Sequence, residues 1–339
     1  MNLKKVFLIF AVGFGGMGFL LGIYLFFLPM SLQGDPVFID IPPGKTFDQV
    51  ALELEEKSLI RRALYFKILV RLWGSPVLKV GEYQVSSSQS LWSQFQKIRK
   101  GKVHTVLVTF AEGLNHYEMA EILKNANWDQ APQFLKLVWD KKWIRKILKK
   151  DRPSLEGYLF PDTYDISKYM TAETFIKRMV DHFTKSYQDL IKIPTSFSRH
   201  QIVTFASLIE KETGVPQERP MIASVFYNRL KKHMRLQTDP TILYSLYLTR
   251  GFSIEKNIRR KDILMPSPYN TYVIYGLPKG PIANPGKESL QAVFQPASSP
   301  YLYFVSRNDG THAFSKTYAE HEKKVYEYQI KPFQKKSKN

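Results

Sequence analysis

Two glutamates close the segment His200 to Thr213, HQIVTFASLIEKET. Ile202, Val203, Phe205, Ala206, Leu208 and Ile209 can all bury, and a helix apolar on nearly every side is a core helix. Glu210 ends this run one turn beyond Ala206 and Ser207, so its carboxyl falls on or near apolar surroundings. Desolvation disfavours a carboxylate and raises its pKa, the property a general acid needs near neutral pH. A carboxylate at a helix end also suits an ion pair with a nearby Lys or Arg, and the helix alone leaves both readings open. Glu212 lies about 200° further round a helix of 3.6 residues per turn and cannot form a catalytic pair with Glu210 on one face.

Downstream come the polar stretch RLQTDPT (Arg235 to Thr241), then Pro268-Tyr269-Asn270-Thr271-Tyr272 and Gly276-Leu277-Pro278. Loops crowded with Gln, Thr, Asn and Tyr suit a carbohydrate, whose hydroxyls need many donors and acceptors and whose ring faces stack on aromatics. Ordinary turn chemistry explains the same residues, since Asp-Pro and Asn are common in turns. Other chemistries are easier to set aside. The chain has no cysteine, which excludes disulfides, thiolate zinc sites and a cysteine nucleophile. Its seven histidines show no metal-ligand spacing, and His321-Glu322 lacks the second histidine of a helical zinc site, so neither metal nor cofactor is expected.

The elements that must carry these residues begin with an anchor. Val6 to Gly34 contains no charge, and Val6 to Met30 exceeds the roughly 20 apolar residues needed to cross a bilayer. A small-residue cleavage site is missing, so the segment predicts one transmembrane helix rather than a removed signal. Lys4 and Lys5 precede it, whereas Ser31 to Gly44 holds no Lys or Arg and carries Asp35 and Asp40. The asymmetry places the N-terminus in the cytoplasm and the body outside the cytoplasmic membrane. The formal charge of +19, from 49 basic and 30 acidic side chains, favours a polyanionic partner without choosing one. Export argues against nucleic acid.

Beyond the anchor, a strand over Val37 to Ile41, the turn Pro42-Pro43-Gly44 and an amphipathic helix over Thr46 to Lys57 open a small α+β module. A helix over Arg61 to Trp73, a strand over Gly81 to Val85 and a helix over Leu91 to Lys100 complete it. Its strand, turn, helix order resembles LysM-type peptidoglycan-binding modules; a plain structural domain fits as well. Similar grammar follows in Val106 to Phe110, Glu112-Gly113 and Tyr117 to Lys124, since PPGKTFDQVALEL and AEGLNHYEMAEIL align. The ordered loop SLEGYLFPDTY leads to helices over Ala172 to Lys185, Arg199 to Glu212 and Gln217 to Lys232, and a strand over Tyr301 to Val305 comes later. The expected fold class is α+β: a cytoplasmic N-terminus (1–5), a transmembrane helix (6–30), the LysM-like module (35–103), a mixed α+β catalytic domain (104–331) and a basic tail (332–339).

LEGYLFPDTY (Leu155 to Tyr164), ASLIEKET (Ala206 to Thr213), ASVFYNRL (Ala223 to Leu230), MRLQTDPT (Met234 to Thr241), YNTY (Tyr269 to Tyr272), GLPKGPIANPG (Gly276 to Gly286) and PYLYFV (Pro300 to Val305) follow in that order. Together with the anchor they make the chain resemble the endolytic murein transglycosylases, the YceG-like family, over nearly its whole length. The resemblance implies an essential glutamate at the first position of EKET, Glu210. It implies non-hydrolytic cleavage between N-acetylmuramic acid and N-acetylglucosamine within a peptidoglycan strand, leaving a 1,6-anhydro end, near the peptidoglycan synthases. A single acid/base suffices for that reaction, whereas hydrolytic glycosidases usually use two carboxylates. Gln237, Thr238, Asp239, Asn270 and Tyr272 are the candidates for holding the sugars. Two alternatives remain: a non-catalytic peptidoglycan-binding scaffold, and a muramidase with Asp239 as second carboxylate. The stretch Tyr247 to Ser267 gives no readable chemistry.

Overall fold

The computed structural model describes residues 17, 20–74, 77–190, 193, 195–251 and 257–336. Most of the expected span, residues 6–16 and 18–19, lies outside the described residues, as do 337–339 of the expected tail. Residues 20–26 are helical, and among the described residues no helix is long and apolar enough to cross a membrane.

The chain divides into two compact units, residues 1–107 with 165–170, and residues 108–164 with 171–339. In the first, β1 (Val37–Ile41) pairs antiparallel with β2 (Gly81–Val85), Ile39 opposite Tyr83 and Val37 opposite Val85. Between them run α1 (Phe47–Glu56) and α2 (Ala63–Leu72), and α3 (Leu91–Arg99) follows. Alternation along the strands turns Ile39, Ile41, Tyr83 and Val85 inward, onto Val50, Leu54, Phe66 and Phe95. Thr46 starts α1 with a capping box closed by Gln49, and Asn115 starts α4 (His116–Asn125) with one closed by Glu118.

β3 (Val106–Thr109) pairs with β4 (Thr163–Ile166). The second unit is mostly helical: α5 (Ala131–Trp139), α6 (Lys141–Leu148), α7 (Ala172–Gln188), α8 (Arg199–Glu212), α9 (Arg219–Lys231), α10 (Asp239–Arg250), α11 (Arg260–Ile263) and α12 (Lys287–Phe294). The hairpin β5 (Tyr303–Ser306) and β6 (His312–Ser315) and the helix α13 (Tyr318–Val325) come last among the elements used below. The α+β class holds. Asp239-Pro240, for which turn chemistry was the alternative to sugar binding, opens α10, because proline is tolerated in a first helical turn.

Helix α8 is the core of this unit. A Ser198 capping box with Gln201 starts it, and every side chain from Ile202 to Ile209 is buried. It packs on α9, α10 and α12. Asn284 ties the surrounding loops together: its Oδ1 accepts from the backbone N–H of Gly157 (2.8 Å) and Leu159 (3.0 Å), and its Nδ2 donates to Leu114 O (3.0 Å) and Glu156 (2.8 Å). Glu156 also accepts from His116 Nδ1 and from the Tyr244 hydroxyl, so a fully buried carboxyl is satisfied on all sides. Gly157 sits at φ +82°, and a Cβ there would lie 2.6 Å from Pro281 and Val203 side-chain atoms. Only glycine fits that approach.

Candidate active site

The C-terminal turn of α8 splits its two glutamates between different surroundings. Glu210, its side chain only 4% exposed, receives Arg219 Nη2 on Oε1 at 2.9 Å and the Gly286 backbone N–H on Oε2 at 2.9 Å. Arg219, at the start of α9, also meets Glu112 at 3.2 Å and Glu288 at 2.5 Å. The cluster clamps the ends of α8, α9 and α12 with the turn before α4. Within it Glu112 is raised above the usual carboxylate range, first by burial and then by the neighbouring Glu210 charge. Lys211, between the glutamates, donates to Gly113 O at 3.0 Å. The apolar surroundings expected for the Glu210 carboxyl are not what it meets: both oxygens are taken, one by a buried guanidinium.

Glu212 faces a cavity of about 310 Å³ together with Arg229, Gln237, Asp239 and Tyr272. Its Oε1 is buried without a well-formed hydrogen bond, as is the nearby Thr238 Oγ1. Burial pushes the Glu212 carboxyl up to about 7; the Thr238 hydroxyl and the Arg229 charge pull it down only in part, and Asp239 adds to the rise. The C-terminal end of a helix, carrying partial negative charge, acts in the same direction. Arg229 does not neutralise it by contact: Nε donates to Leu302 O at 2.7 Å and Nη1 to Leu236 O at 2.6 Å. Desolvation lowers the pKa of Arg229 itself. The arrangement raises a carboxyl in a partly open pocket towards neutral pH, which is what a general acid needs.

Of the five expected sugar contacts, the structure brings Gln237, Asp239 and Tyr272 to this cavity. The Tyr272 hydroxyl donates to Asp239 Oδ1 at 2.5 Å, and burial followed by that carboxylate raises the tyrosine pKa, so the phenol stays protonated. Gln237 adopts φ +50°, a left-handed conformation uncommon outside glycine. Its N–H donates to Thr271 O at 3.2 Å, and the Thr238 N–H to Thr271 Oγ1 at 3.0 Å. Thr238 is thus almost wholly buried with its hydroxyl toward Glu212 rather than toward open space. Asn270 is not brought to the cavity: it is fully buried and its amide donates to Ile263 O at 3.0 Å and Met265 O at 2.9 Å. It shapes the loop that presents Thr271 and Tyr272.

Four further residues complete the cavity wall: Tyr303, Phe304, Tyr318 and His321. Tyr303 stacks on His321 at 5.3 Å and meets Tyr318 edge-on at 5.9 Å, and the Arg229 guanidinium lies 5.4 Å over its ring. Burial, then the Arg229 charge, lowers the His321 pKa, and its buried Nδ1 has no hydrogen-bond partner among the described residues. The three-residue spacing of Tyr318 and His321 on a short helix was the available sequence signal, since it puts both on one face. Among the described residues no group of three or more metal-ligating side chains occurs.

The sequence matches the YceG-like family over residues 39–327. It is 34% identical over 311 residues to the endolytic murein transglycosylase of Bacillus subtilis (strain 168), which covers 86% of this chain and 84% of that protein. The endolytic murein transglycosylase of Streptococcus pneumoniae serotype 2 (strain D39 / NCTC 7466) is 29% identical over 322 residues, covering 86% of this chain and 58% of that protein. A crystal structure of a YceG-like protein from Listeria monocytogenes is similar with a TM-score of 0.57 and 34% identity, over 86% of this chain and 99% of that one.

Proposed function

The chain belongs to the YceG-like family, and from that premise we propose that it is a murein transglycosylase, a lyase that cuts peptidoglycan glycan strands internally outside the cytoplasm. The bond is the one between N-acetylmuramic acid and N-acetylglucosamine, and the products carry 1,6-anhydro-muramic ends, so cleavage ends the elongation of a nascent strand. The observation that carries this reading is the Glu212 carboxyl, whose buried Oε1 has no well-formed hydrogen bond and which burial pushes up to about 7, in a cavity lined by hydrogen-bonding and aromatic side chains.

Protonated Glu212 donates its proton to the glycosidic oxygen, and that C–O bond breaks. The resulting carboxylate then takes the proton of the muramic C6 hydroxyl as its oxygen closes on C1. One residue serves as acid and base and returns to its starting state, and no water is consumed. Tyr303, Tyr318 and His321 offer ring faces to the sugars, and Gln237, Asp239 and Tyr272 offer hydrogen bonds. Glu210, the position first expected for the acid, is better suited to holding the ends of α8, α9 and α12, because its charge is already met by Arg219 and a backbone N–H.

Residues 6–30 serve as the single membrane anchor, with the N-terminus in the cytoplasm and the body facing the wall. The strand, helix, helix, strand order of the first unit supports a LysM-like grip on glycan, and peptidoglycan synthases are the partners that a cut on a nascent strand implies. The presence of Asp239 in the same cavity favours one competing reading, a muramidase that hydrolyses the same bond with two carboxylates. Purified sacculi incubated with the full chain in detergent distinguish the two by mass, since an anhydro end is lighter than a reducing end by one water. Products with reducing ends alone would establish the hydrolase. Absence of soluble muropeptides would leave a binding scaffold.

A further inference from the structure

Helix α2 of the first unit has two unlike faces. Ala63, Phe66, Leu69 and Val70 enter the core, whereas Leu64, Ile68 and Leu72, spaced four apart along one side, are 61%, 37% and 69% exposed, and Trp73 just beyond is 46% exposed. Scattered apolar side chains on a surface are ordinary; a continuous ridge is not. The helix contains no acid, and Lys67 and Arg71 sit beside the ridge, after Arg61 and Arg62. Asp48 of α1 meets Lys67 at 3.3 Å, but no acid is paired with Arg71 among the described residues.

The ridge borders the place where the N-terminal apolar stretch meets the folded unit. Phe26 packs edge-on against Tyr65 at 5.9 Å, next to Leu64. Phe27 meets Trp92 at 6.0 Å, and Trp92 in turn meets Trp73 at 5.0 Å. The Arg61 guanidinium lies 4.3 Å over the Tyr24 ring and donates to Leu28 O and Pro29 O at 3.0 and 3.1 Å. Met30 and Ser31 both donate to Ser87 O. The stretch is therefore tied to the start of α2, to Trp92 of α3 and to Ser87 rather than joined by a loose linker.

We propose that this face of α2 docks on the surface of an anionic phospholipid bilayer. Leu64, Ile68, Leu72 and Trp73 enter the boundary between headgroups and acyl chains, and Lys67 and Arg71 extend from it to the lipid phosphates. Trp73 and Trp92 occupy the level at which indole rings concentrate in membrane proteins. The inference rests on the anchor reading, because it is residues 6–30 that bring the ridge to a membrane.

The absence of cysteine makes the test direct. An Ile68→Cys variant of the full chain takes an environment-sensitive fluorophore at one position and is reconstituted into vesicles of phosphatidylglycerol and phosphatidylcholine. The expected result is blue-shifted emission, quenching by lipids carrying a nitroxide near the headgroup, and a smaller shift in phosphatidylcholine alone. Adding Leu64→Glu and Leu72→Glu, both exposed and so compatible with folding as checked by thermal melting, is expected to abolish the quenching. A chain that resists alkaline carbonate extraction while its label emits as in water would overturn the docking and leave the anchor standing. Extraction by carbonate would overturn both. A label protected by soluble glycan strands but not quenched by lipid would assign the face to glycan instead.

Discussion

If Glu212 is the acid as proposed, replacing each α8 glutamate by glutamine separates the catalytic from the structural carboxyl. The rise of the Glu212 pKa from 4.5 to about 7 corresponds to about 3 kcal/mol by which the fold disfavours the charged form. The native state holds the proton more tightly than the unfolded chain, so stability falls as pH rises from 4.5 through about 7 and stays lower above it. Glu212→Gln is neutral at every pH and escapes that loss. The variant is expected to melt with the parent near pH 4.5 and above it at pH 8, by at most about 3 kcal/mol. Its release of muropeptides from sacculi falls by about 10² to 10⁴, the range for loss of a general acid. Glu210→Gln behaves in the opposite way. It leaves Arg219 with Glu112 and Glu288, whose side chains are 44% and 58% exposed. The cost lies below the ~3 to 5 kcal/mol of breaking a wholly buried pair, at about 2 kcal/mol, while turnover of the fraction that remains folded stays within about threefold. Melts at pH 4.5 and 8 with mass-resolved product counts read both quantities. Full activity in Glu212→Gln, or a dead but normally stable Glu210→Gln, would refute the assignment.

Four other outcomes follow from the same geometry. The rate kcat/KM on isolated glycan strands should decline as pH rises through about 7, as the Glu212 acid loses its proton; a flat profile from pH 5 to 9 would count against it. Tyr272→Phe removes the donor to Asp239 and should slow turnover about tenfold, the size of a charge-assisted bond of about 1.5 kcal/mol, with little change in melting temperature. Gly157→Ala combines left-handed strain with overpacking against Pro281 and Val203 and should cost about 2 to 4 kcal/mol in a denaturant titration. Asn284→Ala orphans the buried N–H groups of Gly157 and Leu159, at about 1 to 3 kcal/mol each, and should lower stability more than any single surface substitution.

Local chemistry was enough to place much of the scaffold. The strands Val37–Ile41 and Gly81–Val85 and the all-round apolar helix Arg199–Glu212 appear in the structure at the positions read from the sequence, because each depends on neighbours within a turn or a strand pair. Helix periodicity also separated Glu210 from Glu212, since angle round a helix is a local property. Which of them is neutralised is not local. Arg219 follows after a helix break, and Gly286 reaches Glu210 from 76 positions along the chain, so only the packing of α9 and α12 on α8 decides that Glu210 is paired and Glu212 is not. Asn270 and Tyr272, two residues apart, are divided in the same way: one is turned into the protein to hold carbonyls of residues 263 and 265, the other out to Asp239. Residue type and spacing thus determined which groups were available for sugar chemistry. Tertiary packing decided which glutamate met a guanidinium and which was pushed up by burial, because the charges and solvent that surround a carboxyl in space are not set by its neighbours along the chain.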